Sequence, residues 1–157
     1  ATIRMCSWEM GWALRPTGPG HAANEPVVSL LTDGGHRVAN RESGSGARAL
    51  LDRLLVEHDM SPTEVDGYGW ELDGHTEVAE AIVQGRAHTG IIPRPVAQAW
   101  GLDFVPVEEQ FCDLFTTVDL LNTETMARLI DTLGSAAFKA DLAASGPYDT
   151  RHTAEIL

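Results

Sequence analysis

The chain reads as an α/β domain with a mostly parallel sheet and helices on both faces. Three observations lead there. Short β-type runs alternate with segments of helical period, which implies βαβ units. Gly, Pro, Ser and Asp clusters punctuate the joins between them. The clearest helix, Ala47 to His58, carries Ala47, Leu50, Leu51, Leu54 and Leu55 at i, i+3, i+4, i+7 and i+8, the spacing of a single buried face.

In chain order, residues 1–14 alternate loosely and end in Gly11-Trp12-Ala13-Leu14, a strand. Residues 15–26 are a loop by composition, and Pro26 to Leu31 is a short helix or a strand, closed by Asp33-Gly34-Gly35. Arg37 to Asn40 is a short strand running into Ser43-Gly44-Ser45-Gly46 and the Ala47 helix. Ser61-Pro62-Thr63-Glu64 has the cap, N1 proline and N3 acid of a second helix start. Tyr68 to Leu72 is a strand broken by Asp73-Gly74. Thr76 to Gln84 is a helix with Val78, Ala79, Ile82 and Val83 on one face and Gly85 as its stop. Thr89 to Ile92 is a buried-type strand, and Pro93-Arg94-Pro95 opens a short helix that ends before Gly101. Asp103 to Val107 and Phe111 to Thr117 are extended, helices follow near Glu124–Leu133 and Ala136–Ala144, and the tail from Gly146 is loop.

Composition narrows the function. A hydrophobic content of 43% supports a packed core. With 23 acidic against 11 basic residues the net charge is −12, which argues against a nucleic-acid-binding surface. It also opposes long-range capture of an anion, so an anion site here has to be local, built from backbone N–H groups and a few arginines. No apolar run is long enough for a transmembrane helix. Cys6 and Cys112 sit in no CxxC spacing and are expected as buried or half-buried thiols, with a disulfide left open. The segment Ala1 to Trp8 is no signal peptide and reads like the middle of a strand, so the chain is expected to be a piece of a longer protein.

The segment Arg37 to Arg48 is the strongest candidate site. The first N–H groups of a helix lack internal partners and, with the helix dipole, favour an anion. Gly44 and Gly46 let a ligand approach the backbone, Ser43 and Ser45 add hydroxyls, and Arg41 and Arg48 flank the turn as charged donors. An ordinary βα turn with a serine cap has the same residues. The GKS/T ending of a phosphate-binding loop and the third glycine of a dinucleotide fingerprint are both absent. A second strand-to-helix turn, Asp73-Gly74-His75-Thr76-Glu77, has Thr76 or Asp73 as its cap, and in a parallel sheet it opens at the same edge. Asp73, His75 and Thr76 are its candidate contacts. Arg94, just past a strand end, is a further one. The i, i+2 placement of His75 and Glu77 is poor for a metal, and the six histidines show no ligand spacing. No metal, no cofactor and no catalytic residue are assigned. His75 and Glu77 are the only bases an enzymatic reading has to offer. Trp8, Trp12, Trp70 and Trp100 are read as core or lobe-interface residues.

Several motifs, in order, resemble one family. Asn40-Arg41-Glu42-Ser43-Gly44-Ser45-Gly46-Ala47-Arg48 with Leu50-Leu51-Asp52 is similar to its NRxxGSGxRxLLD signature. His75-Thr76-Glu77-Val78-Ala79 with Ala81-Ile82-Val83, Gly85 to Gly90, Gly101 to Pro106 with Asp113-Leu114, and Gly146 to Thr150 resemble its later motifs. The family is a substrate-binding-protein-like domain related to periplasmic molybdate- and tungstate-binding proteins. It occurs fused to helix-turn-helix regulators and to molybdopterin-biosynthesis-type proteins. The resemblance implies a three-layer type 2 periplasmic-binding-protein fold, two α/β lobes with a small anionic ligand between them. On that template residues 1–14 are a strand of lobe 1 or the hinge, 15–100 are lobe 2, and 101–157 return through the hinge to the C-terminal helices of lobe 1. Most of lobe 1 is then missing, to be supplied by a parent chain, one with a DNA-binding segment in a regulator, or by a second copy in a homodimer. The family's Asp in GRADAG is His88 here and its Thr in GSGTR is Ala47, so ligand identity is free to differ. The resemblance implies a non-catalytic ligand sensor, the effector part of a cytoplasmic regulator. The alternatives are an extracytoplasmic solute-binding component of a transporter and an enzyme of molybdopterin-type metabolism.

Overall fold

The computed structural model describes residues 1–16, 31 and 35–157. The loop expected over 15–26, the element over Pro26 to Leu31 and the break at Asp33-Gly34-Gly35 fall wholly or partly outside them. The chain divides into two compact units, 10–108 and 1–9 with 109–157. Two long strands, β1 (Thr2–Leu14) and β5 (Asp103–Phe115), each run through both units.

In the unit 10–108, β2 (Asn40–Arg41) pairs parallel with β3 (Glu71–Leu72), and Val38 bridges Thr89 of β4 (Thr89–Pro93), also parallel. The end of β1 lies on β4 antiparallel, from Met10 opposite Pro93 to Leu14 opposite Thr89. The α/β class is as the sequence implies; β4, β1 and β5 form a three-stranded sheet and β2 and β3 a two-stranded one. Parallel pairing covers β2 and β3, while β4 also takes an antiparallel neighbour from far away in sequence, which no hydrophobic period can announce.

Helix α1 (Gly46–Glu57) buries Ala47, Leu50, Leu51, Leu54 and Leu55, the face its spacing predicts. Helix α2 (His75–Val83) buries Val78, Ala79, Ala81 and Ile82. Both pack on β4, and β4 is buried at every residue. The cluster around α2 holds Ala13, Ala39, Ile92, Ala97 and Leu102. Gly90 permits the close approach of α2. A Cβ there would lie 2.5 Å from Val78 Cγ1 and 2.7 Å from the Ala39 carbonyl oxygen. Thr89, buried beside it, donates its hydroxyl to the Ala13 carbonyl at 2.8 Å, which removes the penalty of an unpaired buried hydroxyl.

Some local expectations shift. The Ser61 capping box forms with its N1 proline, yet its helix is a single 3-10 turn, Pro62–Glu64. The chain must turn back through Gly67 to bring β3 beside β2, and this also confines the Tyr68 to Leu72 strand to its last two residues. The N-cap of α2 is Gly74, not Thr76 or Asp73, and it makes no side-chain cap bond. Helix α3 (Arg94–Ala99) begins and ends as expected. Trp12 is buried and Trp70 packs partly buried on the core, but Trp100 is 38% exposed and is no core residue.

In the unit 1–9 with 109–157, the two extended runs expected near Asp103 and Phe111 are one unbroken strand, β5. Arg4 Nε donates to Asp113 Oδ1 at 2.5 Å and its guanidinium covers the Phe111 ring at 3.9 Å. The tail returns to β1 through Ser7 opposite Asp149 and Ile3 opposite Ile156, and Thr153 Oγ1 donates to the Met5 carbonyl at 2.7 Å. Three helices intervene: α4 (Val118–Leu121), α5 (Glu124–Gly134) and α6 (Ala136–Ser145). α4 is a single capped turn too short to leave a period in the sequence.

Candidate functional site

Register places the candidate turns. Asn40 lies opposite Glu71 and Arg41 opposite Leu72 in a parallel pair, so the turns that leave β2 and β3 emerge at one edge of the sheet. One leads through Ser43 and Gly44 to α1, the other through Asp73 and Gly74 to α2. Because β4 runs parallel to the Val38 segment, Arg94 follows a strand end directed to that same edge.

The first turn is open and pre-shaped. Gly44 has φ 93° with nothing within 4 Å of where a Cβ would stand; a left-handed residue with free space above it suits glycine. Ser43, Gly44 and Gly46 are exposed. Ser45 is the N-cap of α1, its hydroxyl accepting from the Arg48 N–H at 3.2 Å. The first turn of α1 holds no acidic residue, so the positive end of its dipole is not offset there.

The two arginines behave differently. Arg48 points along the helix. Its Nε donates to Asp52 Oδ1 at 3.1 Å, its Nη1 to Glu71 Oε1 at 3.1 Å and to the Arg41 carbonyl at 3.3 Å, and its guanidinium lies 4.0 Å from the Tyr68 ring centroid. Tyr68 donates its hydroxyl to Asp52 Oδ1 at 2.8 Å. Arg48 therefore braces α1 against β3. Arg41 forms a two-point pair with the neighbouring Glu42, at 2.6 and 2.7 Å. The hydrogen bond from Arg41, with help from its own backbone N–H, holds the Glu42 carboxyl down at about 2.

His75 stands at the first position of α2, half-buried, with Nδ1 out of solvent and without a hydrogen-bond partner. Burial first, then the Arg41 charge, push its pKa down to about 4, against smaller opposing effects of Glu42 and Glu77. The imidazole is neutral at pH 7. Asp73 and Thr76 are exposed. The Arg94 guanidinium stacks 4.6 Å from the centroid of the Phe104 ring.

The sequence-predicted residues thus gather in three turns at one sheet edge. Arg41 pairs with Glu42, and both charges act on His75, while Arg48 is turned toward β3. Glu42 belongs to the cluster and was not singled out by sequence; an acid next to an arginine just before a glycine turn is the signal for it. Asn40 is another. It is buried, its Nδ2 donates to the Tyr68 carbonyl at 2.8 Å and its Oδ1 accepts from the Arg41 N–H at 2.9 Å, which fixes how the turn leaves β2. Among the described residues no group of three or more His, Cys, Asp or Glu is placed to hold a metal ion. No helix among them is long and apolar enough to cross a membrane.

Comparison with known proteins agrees with this architecture. Over 121 residues the chain is 32% identical to the uncharacterised protein YvgK of Bacillus subtilis (strain 168), covering 77% of this chain and 39% of that protein. It is 28% identical over 109 residues to an uncharacterised protein from the ferredoxin 2Fe-2S gene 5′ region of Clostridium pasteurianum, covering 69% of this chain and 96% of the relative. Among solved structures, a two-component system protein that mediates signal transduction superposes with a TM-score of 0.60 at 12% identity, over 94% of this chain and 55% of the other. The periplasmic binding protein XoxJ from Methylobacterium extorquens AM1 does so with a TM-score of 0.56 at 16% identity, over 100% of this chain and 72% of the other. These two likenesses establish the fold. The chain spans well under half the length of its Bacillus relative. The model of the PBP superfamily domain matches residues 1–134, and the chain is a PBP-like domain of that superfamily, a membership that points to small-ligand binding.

Proposed function

We propose that this domain recognises a small oxyanion, of the molybdate or tungstate kind, at the common edge of β2 and β3. The observation that carries the reading is the parallel register of these strands, which opens the N-termini of α1 and α2 at one edge. Backbone N–H groups from two helix starts form a local anion site on a chain whose overall charge repels anions. Ser43, Gly44, Ser45 and Gly46 supply the contact surface, and Arg41 the charge. The incoming oxyanion takes the place of the Glu42 carboxylate on Arg41, exchanging one two-point acceptor for another. Asp73, Thr76 and the neutral His75 line the second turn, and Arg94 the third.

The domain works by binding, without catalysis. A base whose conjugate acid has a pKa of about 4 is a weak proton acceptor at neutral pH, which disfavours His75 as a catalytic base. Lobe 2 is read over 15–100, with 1–14 and 101–157 belonging to hinge and lobe 1; the division of the chain at 10 and 108 supports this assignment. The rest of the cleft comes from a longer parent chain or from a second copy. In the leading reading that parent is a cytoplasmic regulator and this domain its effector part. A solute-binding component outside the cytoplasm is the alternative, in keeping with the name of the XoxJ structure.

Titration calorimetry with molybdate, tungstate, sulfate and phosphate tests the ligand. At least one oxyanion should bind below millimolar, and Arg41→Ala should weaken it by roughly tenfold or more, about 1.5–3 kcal/mol for a charge-assisted hydrogen bond. Arg48→Ala should act mainly on stability, because its donors are engaged on Asp52 and Glu71. Absence of sub-millimolar binding to all four anions, with Arg41→Ala indistinguishable from the parent, rules the oxyanion reading out.

A further inference from the structure

The two cysteines, far apart in sequence, belong to the same compact unit and to neighbouring strands, Cys6 on β1 and Cys112 on β5. Three cross-strand contacts fix how those strands face each other. The Ala1 amino group donates to the Thr116 carbonyl, Arg4 to Asp113 and Ser7 to Glu109. Partner numbers fall as β1 numbers rise, so the strands run antiparallel here. Cys6 and Cys112 fall between the Arg4 and Ser7 contacts, near enough for Cys112 to act on the Cys6 thiol. A disulfide spans Cα atoms roughly 4.4–6.8 Å apart, a separation that close neighbours on adjacent antiparallel strands reach.

We propose that Cys6 and Cys112 are a redox-active dithiol that an external disulfide of the oxidised-glutathione class converts to an intrachain disulfide. Cys112 is half-buried and Cys6 buried, which sets the order of events. The Cys112 thiol gives its proton to solvent and its thiolate attacks one sulfur of the external disulfide. That S–S bond breaks and one half leaves as a thiol after taking up a proton. Cys6 then loses its proton and attacks the Cys112 sulfur of the mixed disulfide; the Cys6–Cys112 bond forms and the second external thiol departs. Two protein thiols are oxidised and one external disulfide is reduced to two thiols. Burial, and secondarily the neighbouring Cys112, push the Cys6 thiol up to about 11, so resolution is the slow step and quickens with rising pH. The product ties β1 to β5 across a long stretch of chain, which restricts the unfolded state. Its state follows the redox poise of the compartment. The pair belongs to the unit 1–9 with 109–157 and the ligand turns to the unit 10–108, so each reading stands or falls without the other.

Incubation of the full chain in glutathione buffers of graded ratio, followed by alkylation and non-reducing peptide mapping, tests this. In oxidising buffer the Cys6 and Cys112 peptides should be recovered as one linked species, with loss of both alkylatable thiols and a higher thermal midpoint. Cys112→Ser should abolish the link and the rise, and Cys6→Ser should trap a glutathione adduct on Cys112. The map of the unsubstituted chain decides the matter if either variant fails to fold. Full alkylation of both thiols at every ratio overturns the proposal. So does a Cys112 adduct in the unsubstituted chain that never resolves at pH 9.

Discussion

His75 is the residue whose surroundings matter most for solution behaviour. Its pKa is about 4 in the folded chain against 6.5 as the ordinary value, lowered first by burial and then by Arg41. Between those values the unfolded chain binds a proton there that the folded chain does not, so stability rises with pH across roughly 4 to 6.5 and is level above. Denaturant unfolding over this range should show that slope, and His75→Gln should remove a part of it worth at most about 2 kcal/mol after allowance for solvent screening. Equal slopes for both proteins would contradict the environment described. Arg48 shows where sequence reasoning stops at this scale. Its partner Asp52, one helical turn on, is visible in the sequence. Glu71 and Tyr68 reach it only because β3 folds alongside β2, and they make it a brace between α1 and β3.

At the scale of elements, α1 joins the glycine turn to the core. Its buried leucines hold it on the sheet, and Ser45 closes its N-terminus. Replacing Ser45 with Ala removes the acceptor for the Arg48 N–H and should cost about 1 kcal/mol of stability, measured by urea unfolding. Because the Ser45 hydroxyl also belongs to the proposed contact surface, oxyanion affinity should fall together with stability; unchanged affinity beside lost stability would leave Ser45 a cap and no contact. The helix was plain in the sequence because its apolar spacing is a local property that packing then uses unchanged. The short strands were not. β2 and β3 comprise two residues each, and their extent is set by where the partner chain begins and ends. The same holds for the Ser61 signature, whose capping box is real but whose helix has no buried residue to extend it.

For the whole molecule, charge is the governing quantity. With 23 acidic and 11 basic residues, over half the carboxylates have no arginine or lysine to pair with one to one, and their mutual repulsion opposes the folded state. Raising the salt from low concentration to about 0.5 M should therefore raise the thermal midpoint by roughly 2–4 °C for each ~1 kcal/mol of screened repulsion. A midpoint that falls with salt would mean that the ion pairs, such as Arg4 with Asp113 and Arg53 with Glu108, outweigh it. The sequence by itself determined the α/β class, the helices and the glycine turn, because hydrophobic period, capping and turn chemistry act over a few residues. Only the tertiary structure decided that the two turns share an edge, that Arg48 faces away from it, and that Cys6 and Cys112 lie on neighbouring strands. Each of these depends on strand partners distant along the chain, and no local pattern records which strands will lie side by side.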